Sequence, residues 1–410
     1  MSAWTEKSLD ELGFVGRGKS KHRPRDAQHL YGGPYPFIQT GDVKHAELYV
    51  STYSQTYSEA GLAQSKLWPV GTVCITIAAN IAETAILGIE ACFPDSVIGF
   101  VADESKSDAR FIKYMMDTIK RHYQQVAQGA AQDNLSLEKL LSFKLRIPNA
   151  EEQRSIASLL SAYDDLIDNN RRRMVLLEES ARLLYREWFV RLRFPGHEST
   201  RIVNGVPEGW EWVELGSVCR EGDGIQTGPF GSQLHQSDYT DEGVPVVMPK
   251  NMIGFRISVE DIARIPEELA AKLGRHRMIP GDTVYGRRGD IGRRAFISKK
   301  QAGWFCGTGS LRIRPEAKRI NPRYLFDTLG SPETSGTIAN RAKGSTMLNL
   351  SAGSLKTVPI LAPSRHLQDL YQDDVEPTAD MIETLTFQNQ KLRAARDLLL
   401  PKLMSGEIEV

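Results

Sequence analysis

Two stretches of the chain place apolar side chains at alternating steps of four and three residues. The first series is Ile156, Leu160, Tyr163, Ile167, Asn170, Met174, Leu177, Ala181, Leu184 and Trp188. The second lies 215 positions further on and reads Tyr371, Val375, Thr378, Ile382, Leu385, Asn389, Leu392, Arg396, Leu399 and Leu403. Steps of this kind align one face of an α-helix in a heptad, so each stretch predicts a long helix with a coiled-coil seam. A helix of roughly 35 residues extends about 50 Å, more than one face of a compact globule requires. Two matching seams point to helices that pack on each other, and a two-fold relation makes that packing antiparallel with one globule at each end. The series are not wholly apolar, since Asn170, Thr378, Asn389 and Arg396 fall on them; Asn170 and Asn389 are read either as buried residues that fix register or as solvated sites. Pro377 lies inside the second helix and predicts a kink or break near Glu376.

The 215-residue offset extends beyond the seams. QGAAQDNLSLEKLLSFKLRIP (128–148) lies over KGSTMLNLSAGSLKTVPILAP (343–363), sharing Gly129/Gly344, the NLS tripeptide and Pro148/Pro363, and Gln153/Gln368 continues the register. Upstream the offset drifts through Asp117-Thr118/Asp327-Thr328, Val73/Val284 and Leu12-Gly13/Leu215-Gly216, as loops of unequal length require. Two repeats of this size mean a duplication, not a solenoid. In each copy, Gly- and Pro-rich sequence with short β-branched runs such as VCITIA, TVYGR and LRIRP precedes the helical stretch and predicts a mixed α/β globule. The resulting order is a globule over 1–148, a helix over 149–195, a second globule over 196–362 and a second helix over 363–410.

At 410 residues, with 41% apolar and 25% charged side chains, the chain is long enough for more than one core and ordinary in composition. Lys plus Arg and Asp plus Glu are both 51, so any polyanion site must be a local patch. Cys74, Cys92, Cys219 and Cys306 form no CxxC pair, which argues against a disulfide framework or zinc knuckle and fits a reducing compartment. The apolar run from Val73 to Phe93 is broken by Asn80, Glu83 and Glu90 and predicts packed strands, not a membrane span. MSAWTEKSLDEL lacks a basic segment followed by an apolar one, so a cytoplasmic location is expected.

Several motifs match catalytic patterns in letters only. Gly13 to Ser20 (GFVGRGKS) fits GxxxxGK[ST], yet no buried strand precedes it and Pro24 blocks the helix that should follow. FCGTG (305–309) with Asn321-Pro322-Arg323-Tyr324 faintly resembles adenine-methyltransferase signatures, but Arg323 replaces a required proline and the separation is too short. Asp95, Glu104 and Lys106 resemble a Mg²⁺-dependent nuclease core, but the spacing is short and a hairpin end and a solvated turn explain them far better. No catalytic or metal-ligating residue is therefore assigned.

Basic runs remain. Lys19, Lys21, Arg23 and Arg25 sit on a loop of the first globule, and Arg287, Arg288 and Arg293 sit in GRRGDIGRR of the second. Such runs are commonly solvated surface; one on a Gly-rich loop in each copy points to phosphate contacts that position duplex DNA. Nearby side chains able to read base edges are Gln39, Thr40 and Lys44 in the first globule, and Gln226, Thr227, Ser232, Gln233, Lys250, Asn251 and Lys343 in the second.

The whole chain resembles the specificity subunits of type I restriction-modification systems. The resemblance rests on IPNAEEQRSIASLLSAYDDLIDNNRRRMVLLEESARLLYREWFV after the first globule, RDLLLPKLMSGEIEV at the end, PEGWEWVELGSV, GPFGSQLH and GSTMLNLS. It implies two target recognition domains, each reading half of a split, asymmetric DNA site, held apart by conserved spacer helices. It also implies two modification subunits that carry S-adenosylmethionine and methylate adenine at N6, restriction subunits that use ATP and Mg²⁺, and no active site in this chain. The Glu151, Glu152, Gln153, Arg154 segment and the Trp188, Phe189 end are the expected partner-subunit contacts. The departure from symmetry at His366-Leu367-Gln368-Asp369 makes the two docking surfaces unequal. Competing readings are a self-sufficient nuclease built on Asp95, Glu104 and Lys106, and a scaffold that binds no DNA.

Overall fold

A computed structural model describes residues 4–78, 80–128, 135–230, 233–254, 256–342 and 349–410. The chain divides into two compact units, residues 1–172 with 386–410, and residues 173–385.

Unit 1 is built on a five-stranded sheet ordered Gly13–Arg17, Val97–Ala102, Val73–Thr76, Thr84–Leu87, Tyr49–Val50, antiparallel except at the last pair. VCIT and TAIL are buried at every position, which is why their apolar run is continuous and not alternating. A four-stranded sheet joins Gln55–Tyr57, Tyr31–Phe37, Ala91–Cys92 and Leu67–Trp68. Helix Ala109–Gln128 lays Phe111, Ile112 and Met115 into a core with Val73, Ile75, Ile98 and Phe100, and that core continues into Ile156, Leu160, Leu403 and Met404 of the long helices. Thr5–Lys7 pairs with Leu145–Ile147, so the first residues of the globule lie beside the strand that leads into the first long helix.

Unit 2 repeats the plan. Its four-stranded sheet runs Ile225–Thr227, Ser310–Ile313, Thr283–Gly286, Arg294–Phe296, the order of the first four strands of unit 1. The parallel pairing of Phe37 with Cys92 recurs as Val246 with Phe305, and Glu211–Glu214 pairs with Pro359–Ala362 as Thr5–Lys7 pairs with Leu145–Ile147. One correspondence needs correction. Val73 faces Phe100 and Ile86, while Thr283 faces Ile313 and Phe296, so Val73 answers to Thr283 and not to Val284. The preceding turns agree: Gly71 and Gly281, at φ +84° and +91°, donate their N–H groups to Leu87 and Ile297 at 2.9 Å. A one-residue slip exchanges the faces of a strand, and strands buried on both faces carry no alternation to reveal it.

The first long helix spans Ala150–Tyr185 and continues through a π-helical turn, Arg186–Val190; the second spans Arg365–Ser405. Every predicted seam residue is buried or half-buried. In unit 1, Asp164 pairs with Arg396 and Asn170 bonds Asn389, so the segments run antiparallel. In unit 2, Met174 packs with Ile382 and Leu385, and Tyr185 and Trp188 reach Tyr371 at ring separations of 6.0 Å, again antiparallel. The expected interruption at Pro377 does not occur as a break: the helix continues through it. Pro377 and Asp373, whose carbonyl loses its usual donor, are both exposed, so water can satisfy that oxygen. Among the described residues no helix is long and apolar enough to cross a membrane.

Candidate nucleic-acid interface

The base of each long helix is set by a buried glutamine. Gln153 donates to the Pro148 carbonyl at 2.9 Å and the Lys106 carbonyl at 3.2 Å, and accepts the Asp108 N–H at 3.1 Å. Gln368 donates to the Pro363 carbonyl and accepts the Asn321 N–H, both at 2.8 Å. Asp108 and Asn321 in turn cap the helices that start at Ala109 and Pro322. The same joint is thus built twice. It corrects the expectation for Gln153, which is buried and spent on the joint, unable to meet a partner; Glu151 and Arg154 beside it are exposed and Glu152 half-buried. Trp188 and Phe189 are corrected likewise. They pack among Tyr185, Trp210, Tyr324 and Tyr371 in the unit 2 core, because the π-helical turn directs both rings inward.

In unit 1, Lys19 and Lys21 are exposed, Arg25 forms a two-oxygen pair with Asp95 at 2.8 and 2.9 Å, and Arg23 caps the Ser20 and His22 carbonyls at 2.7 and 2.8 Å. Arg25 and Arg23 therefore shape the loop, leaving the two lysines as its outward charge. A third lysine, absent from the sequence expectation, joins them: Lys66 lies 3.7 Å from the centre of the Trp68 ring and 4.4 Å from that of Phe14. Burial, and then the charge of Lys19, lowers its pKa. Nothing periodic marks Lys66; only the fold brings the three together. Gln39, Thr40 and Lys44 lie on or beside the short helix Thr40–His45, where Gln39 donates to Gln55 at 2.6 Å and Lys44 to Asn80 at 3.2 Å.

In unit 2, Gln226 and Thr227 are half-buried on the outer strand of the four-stranded sheet, Gln233 accepts from Arg275 at 3.3 Å, and Lys250 is exposed. Two expected contacts are corrected. Asn251 is 2% exposed, with its side-chain oxygen accepting the Met248 N–H at 3.0 Å, so it holds a turn. Arg287 is buried, its guanidinium 5.4 Å from the ring centre of exposed Phe230, its pKa lowered by burial and then by Arg288. Arg288 and Arg293 are exposed, the latter paired with Asp290 at 2.6 Å. Ser232 and Lys343 lie outside the described residues.

The catalytic look-alikes have other work. Gly13–Arg17 is an outer strand of the sheet, Asp95 is held by Arg25, Lys106 pairs with Asp103 at 2.8 Å, and Asn321 caps a helix.

Comparison with known proteins matches residues 1–179 to the type I restriction modification DNA specificity domain. The chain is 24% identical over 422 residues to the type I restriction enzyme MjaIX specificity subunit of Methanocaldococcus jannaschii, covering 99% of this chain and 94% of that protein. It is 22% identical over 337 residues to the HindI specificity subunit of Haemophilus influenzae, covering 67% and 71%. Its fold is similar to the crystal structure of the type I restriction-modification S subunit from M. genitalium, with a TM-score of 0.57 at 16% identity, covering 98% of this chain and 96% of that one. With the duplicated globule, the paired helices and the matched domain in agreement, residues 1–179 carry the type I restriction modification DNA specificity domain, and the chain as a whole is similar to type I restriction enzyme specificity subunits.

Proposed function

We propose that this chain addresses a restriction-modification assembly to one split DNA sequence. The globule over 1–148 reads one half-site and the globule over 196–362 the other. The helical segments 149–195 and 363–410 act as the spacer. Modification subunits carrying S-adenosylmethionine dock on this chain and methylate adenine at N6, and restriction subunits using ATP and Mg²⁺ cut the DNA. In this reading the chain contributes position and sequence choice and no reacting group.

The duplication carries the proposal. Two globules with the same strand order, each joined to a long helix through the same glutamine joint, are what a reader of two different half-sites requires. Half-sites one helical turn apart lie about 34–36 Å between centres, a span that helices of this length cover. Exposed Lys19, Lys21, Lys44, Lys250, Arg288 and Arg293 supply charge for phosphate contacts in a chain whose net charge is zero.

The test is the methylation map of cells carrying this chain with its partner methyltransferase. One bipartite adenine motif is expected, and exchanging residues 1–148 for those of a relative should change one half and leave the other. A continuous motif, or one altered throughout, would sink the reading.

A further inference from the structure

Each globule is fastened to the helix segments of its own unit by ion pairs, and the two fastenings have opposite polarity at equivalent positions. In unit 1 the acid is on the globule. Glu47 pairs with Arg171 of the first long helix and with Arg393 and Arg396 of the second, the latter two at 2.8 and 3.8 Å. In unit 2 the acid is on the helix, where Glu178 accepts from Arg256 of the globule at 3.3 Å. Gly254, at φ +59°, makes room for this carboxylate; a Cβ there would sit 2.6 Å from a Glu178 oxygen.

Two correspondences establish the equivalence. Asp42 accepts the Gln39 N–H at 2.8 Å as Asn251 accepts that of Met248 at 3.0 Å, and the buried residues that follow match as Val43 with Met252 and Leu48 with Ile257. Position 47 therefore answers to position 256. Along the helices, the offset that lays Gln153 on Gln368 lays Glu178 on Arg393. Both members of one pair are reversed in sign in the other.

The side chains are largely removed from water, with exposures of 23% for Glu47, 25% for Arg393, 24% for Arg256 and 8% for Glu178. In such a setting a reversed charge is repelled, not merely unpaired. The nearest competitor for any seat in a duplicated chain is the other copy. Pairing of two like halves would set Glu47 against Glu178 of a second molecule, or Arg256 against its Arg393. We infer that the Glu47–Arg393 and Arg256–Glu178 pairs form a polarity code that seats each globule on its own helix face and disfavours pairing of like halves, with Glu47 and Arg256 as positioning residues. The functional consequence, the aim of each half-site reader, rests on the function proposed above; the code itself does not.

Amide hydrogen exchange of the full chain, without DNA, tests it. Arg256→Glu or Glu178→Arg alone should speed exchange across residues 251–257 by about tenfold and leave 42–50 unchanged, and the two together should return it to within about twofold of the parent. Glu47→Arg should speed exchange across 42–50, with partial recovery on adding Arg393→Glu because Arg171 and Arg396 still face position 47. The neutral Glu178→Gln should cost less than Glu178→Arg. A reciprocal exchange that keeps the full defect of the singles, or a neutral substitution as damaging as the reversal, overturns the code. Adenine methylation by the assembled complex should fall and recover in step with exchange. Recovery of exchange with a methylation motif that is not bipartite would instead count against the half-site reading and leave the code standing.

Discussion

The side-chain amide of Asn170 donates to the side-chain oxygen of Asn389 at 2.9 Å, and the Asn389 amide donates to the Ile167 carbonyl at 3.3 Å, with both asparagines buried in the seam. Of the two readings open from sequence, the buried one is correct. A buried pair of this kind has one satisfied alignment, because a shift along the helices would leave amides facing apolar neighbours. Asn389→Leu alone strands Asn170 and should cost about 1–3 kcal/mol. The double change to Leu should match or exceed the parent in stability while loosening register. Urea unfolding midpoints of the four proteins in the cycle check this, and a double variant less stable than both singles would contradict it.

The seams were readable because a heptad is a local signal and every member of both series is buried or half-buried. The duplication was readable because its shared residues are joints and turns, such as Gln153/Gln368 and Pro148/Pro363, which tolerate little change. What escaped was set by distant chain. Gln153 reads as part of a solvated EEQR face, yet carbonyls of Lys106 and Pro148 bury it. Asn251 and Arg287 read as surface polar residues until the turn at Met248 and the ring of Phe230 are in place. Lys66 became legible only when the fold set it beside Lys19.

The glutamine joint predicts a matched pair of defects. Removing either amide leaves a buried carbonyl and a helix-cap N–H without their partner, so Gln153→Ala and Gln368→Ala should each lose about 1–3 kcal/mol. Gln153→Glu should lose more, since a carboxylate oxygen would then face the Lys106 and Pro148 carbonyls, acceptor against acceptor. Thermal unfolding at neutral pH measures all three. Equal stability of the parent and Gln153→Glu would show that the joint does not depend on the amide donor.

His276 gives unit 2 a defined sensitivity to acid. It is 1% exposed and accepts from Arg275 at 3.1 Å; burial, and then the Arg275 charge, pushes its pKa down to about 4. The unfolded chain binds a proton near the ordinary value of about 6.5 while the folded chain does not until about 4. Between those values the unfolded state holds more protons, so stability falls as pH falls through that window and is flat above it. The loss attributable to this one group is on the order of 3 kcal/mol across the window. The stability difference between the parent and His276→Gln, followed from pH 7 to pH 4, should shift in favour of the glutamine variant, which has no proton to gain. A difference independent of pH would remove His276 from the account.

Neighbouring arginines in the second basic run should separate cleanly by assay. Arg288 is exposed and free to meet a phosphate, whereas Arg287 is 5% exposed and committed to the ring of Phe230. An exposed cation that contacts phosphate displaces about one counterion, so Arg288→Ala in the assembled complex should weaken DNA binding at every sequence and reduce the slope of log affinity against log salt by about 1. Arg287→Ala removes a desolvated cation–π contact worth about 0.5–2 kcal/mol, so it should lower the stability of the loop while leaving the salt slope unchanged. Binding titrations between about 50 and 200 mM salt, paired with unfolding of the free chain, read both effects. A salt slope that moves with Arg287 and not with Arg288 would mean that the loop opens on DNA and that the buried guanidinium, released from Phe230, makes the phosphate contact.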